Sequence, residues 1–125
     1  MSRHCPYPDL PALAAFLFMS LLPTVTLGDT VYWTWDRDIL AKDLQGGDPY
    51  LVHHGPSDGR PMWIKVHDDQ LFWSTYFPGQ IWTSGLKGEN PRILIDQGND
   101  TVTRNIEFHN GQMYWANEVL GGIYK

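Results

Sequence analysis

An all-β fold of stacked antiparallel sheets is what this sequence predicts, on three observations. From Thr30 onward, short β-prone runs alternate with clusters of Gly, Pro, Asn and Asp, the pattern of strands joined by tight turns. No stretch carries the period of an amphipathic helix. An aromatic-Trp core recurs three times, as Val31-Tyr32-Trp33-Thr34, Leu71-Phe72-Trp73-Ser74 and Met113-Tyr114-Trp115-Ala116. Around these cores Leu44-Gln45-Gly46-Gly47-Asp48-Pro49 falls on Leu86-Lys87-Gly88-Glu89-Asn90-Pro91, and Ile64-Lys65-Val66-His67 on Ile106-Glu107-Phe108-His109, while Ile39, Ile81 and Ile123 keep the same step. A near-repeat of about 42 residues has the spacing of a four-stranded propeller blade or another stacked array, in which no unit buries its apolar face alone.

The chain begins with a different kind of segment. Arg3 precedes an apolar stretch from Leu10 to Leu22, and Thr26-Leu27-Gly28 puts small residues at the minus-three and minus-one positions of a signal-peptidase site. Residues 1–28 are therefore expected to be a secretory signal, with a mature chain from Asp29. The stretch is interrupted by Pro11 and Pro23 and falls short of the ~20 residues a membrane span needs, so no span is expected in the mature chain. The sequon Asn99-Asp100-Thr101 sits in a turn-like stretch after Gly98 and fits an extracellular address.

Composition narrows the function classes. The 125 residues are 42% hydrophobic and 14% aromatic, which suits at most one globular domain. The single cysteine, Cys5, falls in the expected signal, so residues 29–125 have no thiol with which to form a disulfide. Burial must then come from packed aromatics or from assembly. Removing Arg3 and Asp9 from 9 basic and 14 acidic residues leaves the net charge at -5, which excludes attraction to a phosphate backbone.

Taken in order, the strand candidates are Val31 to Trp35, Asp38 to Leu44, Tyr50 to His54, Met62 to His67, Gln70 to Tyr76, Gln80 to Leu86, Arg92 to Asp96, Thr103 to His109, Gln112 to Asn117 and Gly122 to Lys125. Asp68-Asp69 and Asn110-Gly111 are short enough for hairpins, and Asn-Gly is the strongest two-residue hairpin signal.

These cores, each followed by Ile39, Ile81 or Ile123 and twice by a Leu-x-Gly turn, resemble the YWTD (class B) repeats of the low-density lipoprotein receptor family, from about Asp29 to Lys125. Arg60 to Val66 and Val102 to Phe108 resemble the inner strand that precedes each motif. The resemblance implies four-stranded propeller blades and protein ligands docking on one propeller face. Three positions depart from it: the aspartate that closes the motif is Trp35, Thr75 and Asn117, of which only Asn117 is expected to accept hydrogen bonds comparably, with Asp36 one position late in the first repeat. Where the family has an aspartate at the end of the inner strand, His67 and His109 stand. Counted against the family blade, the second unit is complete from Met62 to Asp96, the first lacks its inner strand, and the third stops within its third strand. Three explanations stay open: a fragment of a longer relative, a homo-oligomer that completes a ring, or a small stand-alone sheet.

Chemistry is sparse. His53, His54, His67 and His109, with Asp68 and Asp69, do not have a metal-ligand spacing, and the equivalence of His67 and His109 reads as a structural turn position. Residues 29–125 hold no cysteine, Gly-x-Ser-x-Gly elbow, phosphate loop or His-Glu-x-x-His, so neither catalysis nor a cofactor is expected. Trp33, Trp73 and Trp115 recur in register and read as core. Trp35, Trp63 and Trp82 do not, and are the candidate aromatic anchors of a binding surface. Lys65, Glu107, Arg104 and Asn105 vary on the repeated frame and supply candidate polar specificity. The expected function is a secreted, non-enzymatic binding or extracellular-matrix protein. A lectin-like carbohydrate binder that builds a ring from short chains, and a truncated receptor relative with no independent function, are the alternatives.

Overall fold

The computed structural model describes residues 29–125. The expected signal segment and Cys5 lie outside the described residues. Within them the chain is all-β with no helix, and its ten strands are β1 (Thr30–Trp35), β2 (Asp38–Asp43), β3 (Tyr50–His54), β4 (Arg60–His67), β5 (Gln70–Tyr76), β6 (Gln80–Gly85), β7 (Arg92–Asp96), β8 (Thr103–His109), β9 (Gln112–Asn117) and β10 (Gly122–Tyr124). Every expected strand is present. Small corrections fall at the ends: β4 begins at Arg60 rather than Met62, while Leu44, Leu86 and Lys125 lie outside β2, β6 and β10. Leu86 leaves its ladder where its carbonyl accepts the Tyr32 hydroxyl at 3.0 Å.

The strands form three antiparallel sheets, none closed, ordered β1-β2-β3, β4-β5-β6-β7 and β10-β9-β8. The described residues form two compact units, 29–31 with 41–50 and 32–40 with 51–125. In the first, Thr30 Oγ1 donates to Asp43 Oδ1 at 2.8 Å, the Tyr50 hydroxyl donates to the same oxygen at 3.2 Å, and Ala41 is fully buried. The second holds the 4-stranded sheet, the β8-β9-β10 sheet and their core of Phe72, Ile81, Ile106 and Trp115. There β8 lies against both β4 and β5.

The sequence repeat is a geometric repeat. Thr75 opposes Pro61 and Trp73 opposes Ile64, with one extra residue on β4 between those pairs; Asn117 opposes Thr103 and Trp115 opposes Ile106, with the same extra residue on β8. Each is a β-bulge at the same place in its repeat. The turns between these strand pairs also agree. Asp68 and Asp69 have φ of 48° and 58°, Asn110 and Gly111 of 50° and 72°, and two consecutive left-handed residues are what a type I′ hairpin requires. Trp33 precedes Trp73 by 40 positions whereas Trp73 precedes Trp115 by 42. The deficit of two falls between Trp33 and Ile39, six positions apart where Trp73 and Ile81, like Trp115 and Ile123, are eight apart. Asp36 and Arg37 alone join β1 to β2, while residues 77–79 join β5 to β6 and residues 118–121 join β9 to β10.

In the second and third repeats the residue that closes the aromatic-Trp core braces the following turn, and here one expectation is corrected. Asn117 Oδ1 accepts the Leu120 N–H at 2.9 Å, as expected. Thr75 does the same: its buried hydroxyl accepts the Gln80 N–H at 3.0 Å and donates to the Pro78 carbonyl at 2.6 Å. A hydroxyl both donates and accepts, so threonine serves where only asparagine was expected to. Asp36 adopts φ 54° in the short first turn, with its carboxylate 3.7 Å from Arg60 Nε.

Two left-handed glycines separate conformational from steric cost. Gly88 has φ +87°, and a Cβ there would lie 2.0 Å from the Val52 carbonyl oxygen; Gly111 has φ +72° and open space around it. Gly111→Ala should cost about 1–2 kcal/mol, the left-handed penalty alone. Gly88→Ala adds a backbone clash and should exceed about 4 kcal/mol, in the exceptional range for a point change. Urea denaturation of both variants checks this, and equal losses would show that the loop at Gly88 yields freely.

Candidate functional site

Four of the seven candidate binding residues come together on adjacent strands. Trp63 and Lys65 stand on β4, Arg104 and Glu107 on β8. The Arg104 guanidinium carbon lies 5.0 Å from the centroid of the Trp63 ring, within cation–π range, and Lys65 Nζ lies 2.7 Å from Glu107 Oε2. Arg104 also donates from Nε to Glu118 Oε2 in the β9–β10 turn. That hydrogen bond, ahead of the opposite charge, holds the Glu118 carboxyl below its ordinary range. The bulges explain the placement. Trp63 occupies the irregularity of β4 and Asn105 that of β8, where an extra residue re-aims side chains.

Met62, next to Trp63 in the irregularity of β4, is 38% exposed and adds apolar area beside the charges, whereas Val66, 46% exposed, follows Lys65 directly and lies on the opposite face of the strand. Neither was singled out from sequence, because an apolar residue in a strand reads as core. Glu118 was missed for another reason: its partner is 14 positions away and only the β8–β9 pairing brings them together.

The other two tryptophans lie apart from this patch. Trp35, at the end of β1, is 41% exposed. Trp82 on β6 is half-buried and stacks on Trp73 at a centroid distance of 6.0 Å, with its Nε1 donating to Gln80 Oε1 at 3.0 Å. His53 of β3 lies over both rings, 4.8 Å from Trp73 and 5.8 Å from Trp82. The equivalent histidines of the two repeats have unlike surroundings: His67 stacks on Phe108 at 3.9 Å and His109 is exposed. Among the described residues, no three His, Cys, Asp or Glu side chains converge as ligands for a metal ion.

A polar cleft of about 560 Å³ opens beside the ends of β5 and β6, walled by Asp69, Gln70, Ser84, Glu89, Asn90 and Arg92. Glu89 folds back over Gly85, where a Cβ would meet its Oε2 at 2.1 Å, and accepts the Lys87 N–H at 3.0 Å. No aromatic ring lines this cleft. Asn99 is exposed in the loop after β7, whereas Thr101 is buried and donates its hydroxyl to the Gly98 carbonyl at 2.9 Å.

Comparison with family models and with curated proteins returned no match.

His53 generates a pH prediction. Burial, then the neighbouring His54 charge, lower its pKa against the opposing pull of Asp38. Because the folded value lies below the unfolded one, the unfolded chain takes up this proton first as pH falls. The effect is absent well above about pH 6.5, stability is lost as pH falls through that value, and the loss levels off below the folded value. His53→Gln should therefore flatten the decline of the urea midpoint from about pH 7 to pH 5. An unchanged slope would assign the decline to other groups.

Proposed function

We propose that this chain is a secreted, non-enzymatic binding protein built from YWTD-type propeller blades, which docks an extracellular protein or matrix component on the β4–β8 patch. One observation carries the reading: Trp63, Arg104, Lys65 and Glu107 lie side by side on the first strands of successive sheets, an aromatic anchor with polar neighbours. The blade assignment is supported by the sheet sizes, three, four and three strands in chain order, and by the repeated bulge and turn-bracing residue. Secretion is read from residues 1–28, outside the described residues, and from the exposed Asn99 sequon.

The patch is suited to recognition rather than to stability. The Lys65–Glu107 pair has side-chain exposures of 40% and 57%, and such surface pairs contribute only about 0–1 kcal/mol. Its members are therefore available to exchange one partner for another at little cost to the fold. Trp63 is half-buried, so part of its ring is already ordered before a ligand arrives.

Retention of the purified chain on an immobilised, solubilised basement-membrane extract tests this. Trp63→Ala should weaken retention about 30-fold, corresponding to the roughly 2 kcal/mol of a binding hot spot, and Arg104→Ala several-fold, while Asp58→Asn, an exposed change off the patch, leaves it intact. Equal retention of all three would overturn the assignment of the patch. A second experiment concerns Asn99: expression in a eukaryotic secretory host should add one glycan that peptide N-glycosidase removes and Asn99→Gln abolishes. A chain of unmodified mass would refute the sequon.

A further inference from the structure

Phe77, in the turn between β5 and β6, combines two unfavourable features. Its backbone is left-handed, with φ 37°, and its ring is 44% exposed beside that of Tyr76, 41% exposed. A bulky residue is strained in the left-handed region and an exposed ring gains little from burial, so neither feature favours the folded state. The ring is nevertheless held in place. Tyr76 meets it edge to face, with centroids 4.5 Å apart and planes at 76°. The Phe77 carbonyl accepts the Gly59 N–H at 3.1 Å, and the following carbonyl, of Pro78, accepts the Thr75 hydroxyl.

The segment bound to this turn carries the sequon. Residues 76–79 and 98–102 are tied at two places. Tyr76 pairs antiparallel with Val102, and Gly79 donates to the Gly98 carbonyl at 3.2 Å while its own carbonyl accepts the Gln97 N–H at 3.0 Å. Thr101 lies so close to Gly79 that a Cβ there would meet the Thr101 Oγ1 at 2.3 Å. Between the two ties stand Phe77-Pro78 on one side and Asn99-Asp100-Thr101 on the other, and Asn99 is exposed like Phe77. We propose that the glycan on Asn99 folds back over Phe77, an N-acetylglucosamine of its core stacking on the ring that Tyr76 holds. The inference rests on the use of the sequon proposed above. The C–H groups on one face of a pyranose meet the negative face of the aromatic quadrupole, and the sugar hydroxyls stay in water. Two linked N-acetylglucosamine units are longer than any protein side chain, which suits the short path from Asn99 to Phe77 across the Gly79–Gly98 tie. Covalent attachment also keeps the sugar at high effective concentration, so a weak stacking contact suffices.

A double-mutant cycle on the chain secreted by a eukaryotic host, read by urea unfolding, tests the inference. Removing the glycan by Asn99→Gln should lower the folding constant about fivefold in the wild-type chain and leave it unchanged in Phe77→Ala. Phe77→Tyr keeps a ring and should keep the coupling. Nuclear magnetic resonance gives a direct signal: core-sugar protons should lie upfield in the wild-type glycoprotein, under the ring current of Phe77, and return to free-glycan positions in Phe77→Ala. A chain secreted at unmodified mass would remove the sequon and this contact together. A glycosylated chain with no upfield sugar protons, or one whose glycan stabilises Phe77→Ala as much as wild type, would overturn the contact alone. So would a coupling that grows with protein concentration, the mark of a glycan packing on a neighbouring copy.

Discussion

The seam in which Phe72, Ile81 and Ile95 of the second sheet meet Ile106, Trp115, Met113 and Tyr124 of the third is the contact on which the other features depend. A single strand serves two seams. On β5, Trp73 points into the seam that receives His53, while its neighbour Phe72 points into the seam with Ile106 and Trp115. A slip of one residue would exchange the two faces and ruin both seams together. Burying a large apolar side chain contributes about 1.5–3 kcal/mol, so the loss would exceed any single polar contact in the structure.

The turns and bulges can be understood as devices that hold this register. The two-residue hairpins at Asp68-Asp69 and Asn110-Gly111 set the pairing at one end of their strands, and the repeated bulges reset it at the other. Thr75 and Asn117 then tie the end of each core to the next turn. The candidate binding patch is a by-product of the same order. Stacking the second sheet on the third brings β4 against β8, and only then can Arg104 cover Trp63 and Lys65 reach Glu107. These pairs are too weak and too exposed to have caused the arrangement.

Much of the fold was legible because β signals are local. Short β-prone runs, Asn-Gly and the clusters of Gly, Pro, Asn and Asp marked all ten strands, with differences at the ends where a hydrogen bond outside the ladder, such as that from Tyr32 to the Leu86 carbonyl, meets the boundary. The role of Thr75 was not legible, since whether a hydroxyl accepts from a turn depends on the path of residues 77–79. The site was legible by half. Varying polar residues on a repeated frame pointed to Lys65, Arg104 and Glu107, but the exposed Met62 was not singled out from its strand and Glu118 gave no signal.

The amino-acid sequence by itself determined the strand set, the hairpins and the position of the repeat, because each follows from the conformational preferences of a few neighbouring residues. Only the tertiary structure decided which equivalent residues are covered and which are bare. Ile39, Ile81 and Ile123 are the same residue at the same step, and His67 and His109 likewise; no local preference separates the members of either set. Their burial depends on whether another sheet lies above them, and that is a property of packing between elements far apart in the chain.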